Sequence, residues 1–173
     1  GEVNIIDAPA FFSLINPQDN IKLALFRDPR EPSSINTVVN SALINTTMNE
    51  LDWHDSNEFY LISILFSDNL GLKGYVDSTI FLNTNDLVIV GDTKLMVGTK
   101  ANEARTILEN FWYGYMNEIR LWNTWLSDST IQFQVEHPDK FSEFYRHTVD
   151  GIDIDTYLDS LIGLWRFNLS EAT

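Results

Sequence analysis

The sequence predicts an all-β sandwich, on three observations. Most of the chain divides into short apolar stretches of strand length. Asn, Asp, Gly and Pro punctuate these stretches at close intervals. Within several of them apolar and polar residues alternate, the period of a half-buried strand. With 173 residues, 44% of them hydrophobic, the chain is long enough for one domain with its own core.

The elements follow in order. Residues 10–15 are apolar and stop at Asn16-Pro17, a strong breaker. Residues 21–26 alternate Ile21, Leu23 and Leu25 against Lys22, Ala24 and Phe26. A loop over 28–34 leads to a β-branched stretch read as one strand over 37–44. Residues 59–66 form a near-continuous apolar run closed by Asp68-Asn69, too short for a typical helix and read as a central strand. Residues 72–76 and 79–82 flank Asp77-Ser78 as a hairpin, and 87–90 and 94–97 flank Gly91-Asp92-Thr93 as a second.

Residues 113–123 read as a long strand with Tyr115, Ile119 and Leu121 on one face. Glu118 and Arg120 share the other face, close enough to pair. Ser127-Asp128 is a helix start leading into 129–135, and Pro138-Asp139 opens a second short helix reaching 146. The acidic stretch 152–160 is read as a loop or a short turn, and Leu161–Phe167 as the final strand. No repeat, low-complexity tract or flexible linker divides the chain. Residues 1–135 are therefore expected to form the sandwich, and 136–173 a C-terminal extension of the same domain carrying a short helix and the closing strand.

The formal net charge is −14, from 25 acidic and 11 basic residues. Such a field repels phosphate backbones and anionic membrane surfaces, so neither nucleic acid nor membrane insertion is expected. No apolar run approaches the ~20 residues of a membrane helix. Gly1–Ile6 shows neither the basic patch nor the cleavage pattern of a signal peptide. The absence of cysteine excludes disulfides, thiolate zinc sites and cysteine nucleophiles. Asn45-Thr46-Thr47 and Asn168-Leu169-Ser170 are glycosylation sequons, about as many as chance gives at this composition.

Tyr113-Gly114-Tyr115-Met116-Asn117-Glu118-Ile119-Arg120-Leu121-Trp122-Asn123, followed by Trp125-Leu126-Ser127-Asp128, resembles the closing strand and helix start of laminin G-like and pentraxin-like domains of the concanavalin-like superfamily. The specific likeness lies in this motif. Trp53-His54 with the 59–66 run, the 72–77 hairpin arm and residues 94–98 fit the same order more loosely. The resemblance implies a two-sheet antiparallel jelly-roll and an extracellular or cell-surface adhesion or binding module. Its ligand would be carbohydrate or protein, and calcium its usual cofactor. The chain departs from the family in placing Ser78 where the hairpin turn usually has Gly. It also lacks the family's leading strands, while a string of that kind, Leu161–Phe167, stands at the C-terminus. Two readings stay open. Leu161–Phe167 is an ordinary last strand, or it completes a neighbouring copy and builds a homo-oligomer or polymer.

Calcium ligands would come from oxygen-bearing turn residues, with Asp68, Asn69, Asn85 and Asp86 as candidates, although none matches an ordered ligand spacing. Trp112, Tyr113 and Tyr115 form the aromatic cluster best suited to stack on a sugar ring. The rival enzyme reading is a glycoside hydrolase or lyase of the same architecture. Asp153 and Asp155, two apart, would place carboxylates on one strand face. A solvated acidic loop explains them more simply. His54, His137 and His147 fall in no metal-ligand spacing.

Overall fold

The computed structural model describes residues 9–15, 21–27, 31, 33–40, 42–48, 51, 59–67, 69–85, 93–101, 108–109, 112, 116, 118–140, 147–149, 152–154 and 160–166; for 21, 100, 101, 108, 109, 147–149 and 152–154 it describes the backbone alone. The chain divides into two compact units, Gly1–Val76 with Ile80–Tyr113, and Asp77–Thr79 with Gly114–Thr173.

The first unit is an antiparallel two-sheet sandwich. One sheet holds β1 (Ala10–Ile15), β2 (Ile21–Arg27), β3 (Ser34–Val39), β4 (Ala42–Thr47) and β8 (Lys94–Val97), in the order β4-β3-β2-β1-β8. The other holds β5 (Ile62–Ser67), β6 (Gly71–Val76) and β7 (Thr79–Thr84), in the order β5-β6-β7. β9 (Lys100–Ala101) and β10 (Leu108–Glu109) pair as a short ribbon. The first four strands are joined consecutively within one sheet, so the all-β sandwich expected from the sequence is built here from a four-strand meander closed by β8.

Alternation sets the core. Phe11, Leu14, Leu23, Leu25, Ile35 and Val39 from the larger sheet meet Leu72, Val76, Phe81 and Leu82 from the smaller, with Met48 and Leu51. Burial of this apolar set is the main term holding the sheets together. The Thr46 hydroxyl donates to the Phe81 carbonyl at 3.2 Å and ties β4 to β7. A second cluster of Ala10, Ala24 and Phe26, with Val38 against it, means that the larger sheet carries buried residues on both faces.

Several expectations are corrected. The single strand over 37–44 is two strands, because Asn40 takes a left-handed backbone (φ 46°) and turns β3 into β4. Asn is the non-glycine residue best suited to that conformation, so the signal was present. Among the described residues no strand pairs with the run 59–66 on its second side, so it is not the central strand expected. β5 begins at Ile62 and lies at the end of its sheet, and Phe59 and Phe66 are exposed. The positive φ in the β6–β7 turn falls on Asp77 (51°) and not on Ser78, so serine bears no such strain there. The 87–90 arm of the second expected hairpin lies outside the described residues, while its partner is β8.

In the second unit β11 (Glu118–Trp122) pairs antiparallel with β14 (Leu161–Arg166). The expected long strand over 113–123 is shorter at its N-terminal end: Met116 lies outside any strand, and 113–115 and 117 lie outside the described residues. Helix α1 (Asp128–Glu136) starts where predicted, with Ser127 as N-cap accepting from the Thr130 N–H at 3.1 Å. A turn at Pro138-Asp139 stands where a second helix was expected to begin, and 141–146 lie outside the described residues. β12 (His147–Val149) and β13 (Ile152–Ile154) form a hairpin, so the start of the acidic stretch is strand and not loop.

Candidate functional site

The most elaborately built surface lies on β11 and β14. Their register sets Glu118 opposite Arg166, Ile119 opposite Trp165, Arg120 opposite Leu164 and Leu121 opposite Gly163. Side chains alternate across a strand, so Glu118, Arg120, Leu164 and Arg166 share one face, and Ile119, Leu121, Gly163 and Trp165 the other.

Glu118 organises the first face. One carboxylate oxygen accepts from Arg120 Nε and the other from Arg166 Nε. The Arg120 and Glu118 side chains are only 10% and 17% exposed, whereas that of Arg166 is 49% exposed. The Arg120 guanidinium also donates to the Lys140 carbonyl at 3.0 Å and to the Pro138 carbonyl. One arginine therefore joins strand β11 to the turn after α1, a turn closed by the Lys140 N–H on the His137 carbonyl at 2.9 Å. Burial pushes the Glu118 carboxyl upward, but hydrogen bonds from Arg166 and Arg120, with their positive charges, outweigh it and hold the group below its ordinary 4.5. The Asn123 N–H donates to the Ser160 carbonyl at 2.9 Å beside the ladder.

On this clamped frame β14 exposes apolar side chains. Ile162 is 59% exposed, Leu164 40% and Trp165 49%. Gly163 positions the tryptophan. A Cβ there would stand 2.5 Å from Trp165 Cη2, so the indole lies against the glycine backbone in space only glycine leaves. Ile119 and Leu121 beside it are half-buried. The strand, held by charge-assisted bonds, thus offers an aromatic ring on one face and the aliphatic Ile162 and Leu164 on the other.

Of the residues expected to form a site, some are described and several lie outside the described residues. Trp112 packs on the core, its ring 4.1 Å from that of Phe11 and its backbone N–H donating to the Gly98 carbonyl at 2.8 Å. Tyr113 and Tyr115 lie outside the described residues, as do Asp68, Asp86, Asp155 and Asn168. Asn69 is exposed in a turn, its N–H donating to Ser67 Oγ at 3.3 Å. Asn85 Oδ1 abuts Gly71, 2.3 Å from where a Cβ would stand. Among the described residues no group of three or more His, Cys, Asp or Glu is placed to hold a metal ion. Asp153 stands on β13 opposite Thr148. Asn45 is exposed on β4, and its amide donates to Asn36 Oδ1 at 2.8 Å.

Compared with known protein families, curated proteins and solved structures, the chain matches none. The functional reading therefore rests on this chain's own residues. Sequence reasoning found the Glu118–Arg120 pair but missed Arg166 and Trp165. Their signal was one of register, since only the pairing of β11 with β14 puts Arg166 opposite Glu118.

Proposed function

We propose that the chain is a non-catalytic recognition or structural module of the extracellular space, binding carbohydrate or protein as part of a larger assembly. The observation that carries this reading is the β14 surface. Solvent-exposed Trp165 sits on one face, and Ile162 and Leu164 on the other, of a strand fixed by the Glu118 ion pairs. Exposed apolar side chains on ordered elements mark contact sites, and an indole face suits both sugar rings and protein side chains. The likeness of residues 113–128 to laminin G-like and pentraxin-like domains supports the same role, as does the fit of that motif to a strand followed by a Ser-capped helix.

The test uses the full chain with a panel of soluble and immobilised polysaccharides. The expected result is retention that weakens when Trp165 is replaced by Ala, with no release of reducing ends above the blank. Reducing-end release that disappears on joint Asp153→Asn and Asp155→Asn substitution would overturn the reading in favour of a glycoside hydrolase.

A further inference from the structure

We infer that Asn45 is an acceptor site for an N-linked oligosaccharide. The inference rests on the extracellular reading, because only an exported chain meets the transferring enzyme and its lipid-diphosphate-linked sugar donor. Asn45-Thr46-Thr47 has the required spacing, with a hydroxyl two residues after the asparagine and no proline between. The fold adds what the motif lacks, the place where the acceptor amide stands. Asn45 lies on β4 at one end of the larger sheet, and among the described residues no strand pairs with β4 on its second side. Alternation puts Leu43, Asn45 and Thr47 on one face of the strand, and all three are exposed. A bulky sugar chain therefore has room there.

The hydrogen bonding of the amide fits the transfer. An asparagine amide has two N–H donors. Asn45 gives one to Oδ1 of Asn36, its cross-strand partner on β3, at 2.8 Å, and Asn36 is only 3% exposed. Among the described residues the second N–H meets no acceptor. In the transfer, Nδ2 bonds to C1 of the sugar as the C1–O bond to the lipid diphosphate breaks. One amide proton passes to a base of the transferring enzyme, and the lipid diphosphate leaves. The product keeps one N–H on Nδ2, so the buried Asn36 oxygen retains its donor and the fold loses no hydrogen bond. The strand Ala-Leu-Ile-Asn-Thr-Thr carries no charge and no proline, two devices that keep a sheet edge from pairing with another chain. A glycan rooted at Asn45 supplies that protection by bulk and covers the exposed Leu43 beside it.

The test expresses the full chain behind a cleavable secretion leader in cultured eukaryotic cells. Peptides of the secreted and the cell-retained chain are mapped by mass spectrometry, before and after an amidase that releases Asn-linked glycans. The expected result is a chain heavier than its 19.9 kDa polypeptide, with Asn45 converted to Asp wherever the amidase has acted. Asn45→Gln and Thr47→Ala should each remove that glycan, and Thr47→Ser should keep it. The glycosylated chain should melt no lower than the same chain made in bacteria without glycan. An unmodified Asn45 overturns the inference, as does modification at Asn168 alone. A glycosylated chain that melts lower than the bare one overturns it too, because the amide would then not be free to carry sugar in the fold. Retention on polysaccharide is read from β14, which belongs to the other compact unit, with the bacterially made chain. That retention can fail while Asn45 is glycosylated and can hold while Asn45 is bare, so the two readings fail separately.

Discussion

Arg166 reaches across from β14 to Glu118, the residue directly opposite it on β11, while Arg120 holds the second carboxylate oxygen from Glu118's own strand. The carboxylate is thus the common partner of two cations on two strands. Replacing Glu118 with Gln removes the charge and keeps the shape. Arg120 retains the Pro138 and Lys140 carbonyls, so the loss is partial, about 1–3 kcal/mol by urea unfolding at neutral pH.

The same pair gives a pH signature. The Glu118 carboxyl titrates below its ordinary 4.5 in the folded chain, so the unfolded chain binds its proton first on acidification. Its contribution is complete above 4.5 and is lost as pH falls through the lower folded value. The stability gap between wild type and Glu118→Gln should therefore be constant from pH 6 to 8 and shrink on going below about 4.5. A gap that widens in acid would contradict the assignment of the two arginines as its partners.

Thr37 lies on the core face of β3 between Leu25 and Ile44, fully buried, and its hydroxyl meets no hydrogen-bond partner among the described residues. Valine matches its shape and its preference for strand. Thr37→Val should raise stability by about 1 kcal/mol, since an unsatisfied buried hydroxyl costs roughly that much. Thermal and urea midpoints should move up together, with no change in the slope of the urea transition.

The Ser127 hydroxyl accepts the Thr130 N–H and also contacts the Ser129 and Thr130 hydroxyls, at 2.9 and 2.8 Å. Ser127→Ala should cost about 1 kcal/mol, and Ser127→Asp should recover most of it by accepting the same N–H at the positive end of the helix. Chemical denaturation of the three proteins checks the order.

Features that depend on neighbours in sequence were legible. Alternation located β2, an apolar run ended by Asn16-Pro17 located β1, turn residues located the hairpin arms β6, β7 and β8, and the Ser127-Asp128 pair located α1. Features that depend on distant residues were not. Nothing local to residues 59–66 says whether the strand there is central or terminal, because that is set by which strands find room beside it. The β12–β13 hairpin was hidden for another reason: His147–Val149 and Ile152–Ile154 are too short to show a period, and acidic Asp150 and Asp153 suggest solvent. The candidate site followed the same division. Glu118 and Arg120 are two apart on one strand and could be paired on sight. Arg166, 48 residues from Glu118, needed the register.

Two glycines separate packing cost from exposure. A Cβ on Gly74 would stand 2.6 Å from Phe81 Cζ, and one on Gly163 would stand 2.5 Å from Trp165 Cη2, so the initial clash is nearly equal. The surroundings differ. Phe81 is buried in the sandwich core, where displacing a ring disturbs every neighbour, while the Trp165 indole is half open to water and can swing away. Gly74→Ala should therefore destabilise the protein by about 1–3 kcal/mol, and Gly163→Ala by less than about 0.5 kcal/mol. Combining Gly74→Ala with Phe81→Leu should cost less than the sum of the two single changes, because the smaller side chain leaves room for the methyl group. Gly163→Ala should instead show its effect at the surface, as weaker retention on polysaccharide with an unchanged melting temperature. Equal destabilisation by the two alanines would mean that Trp165 is packed as firmly as Phe81, and the proposed contact surface would lose its aromatic centre.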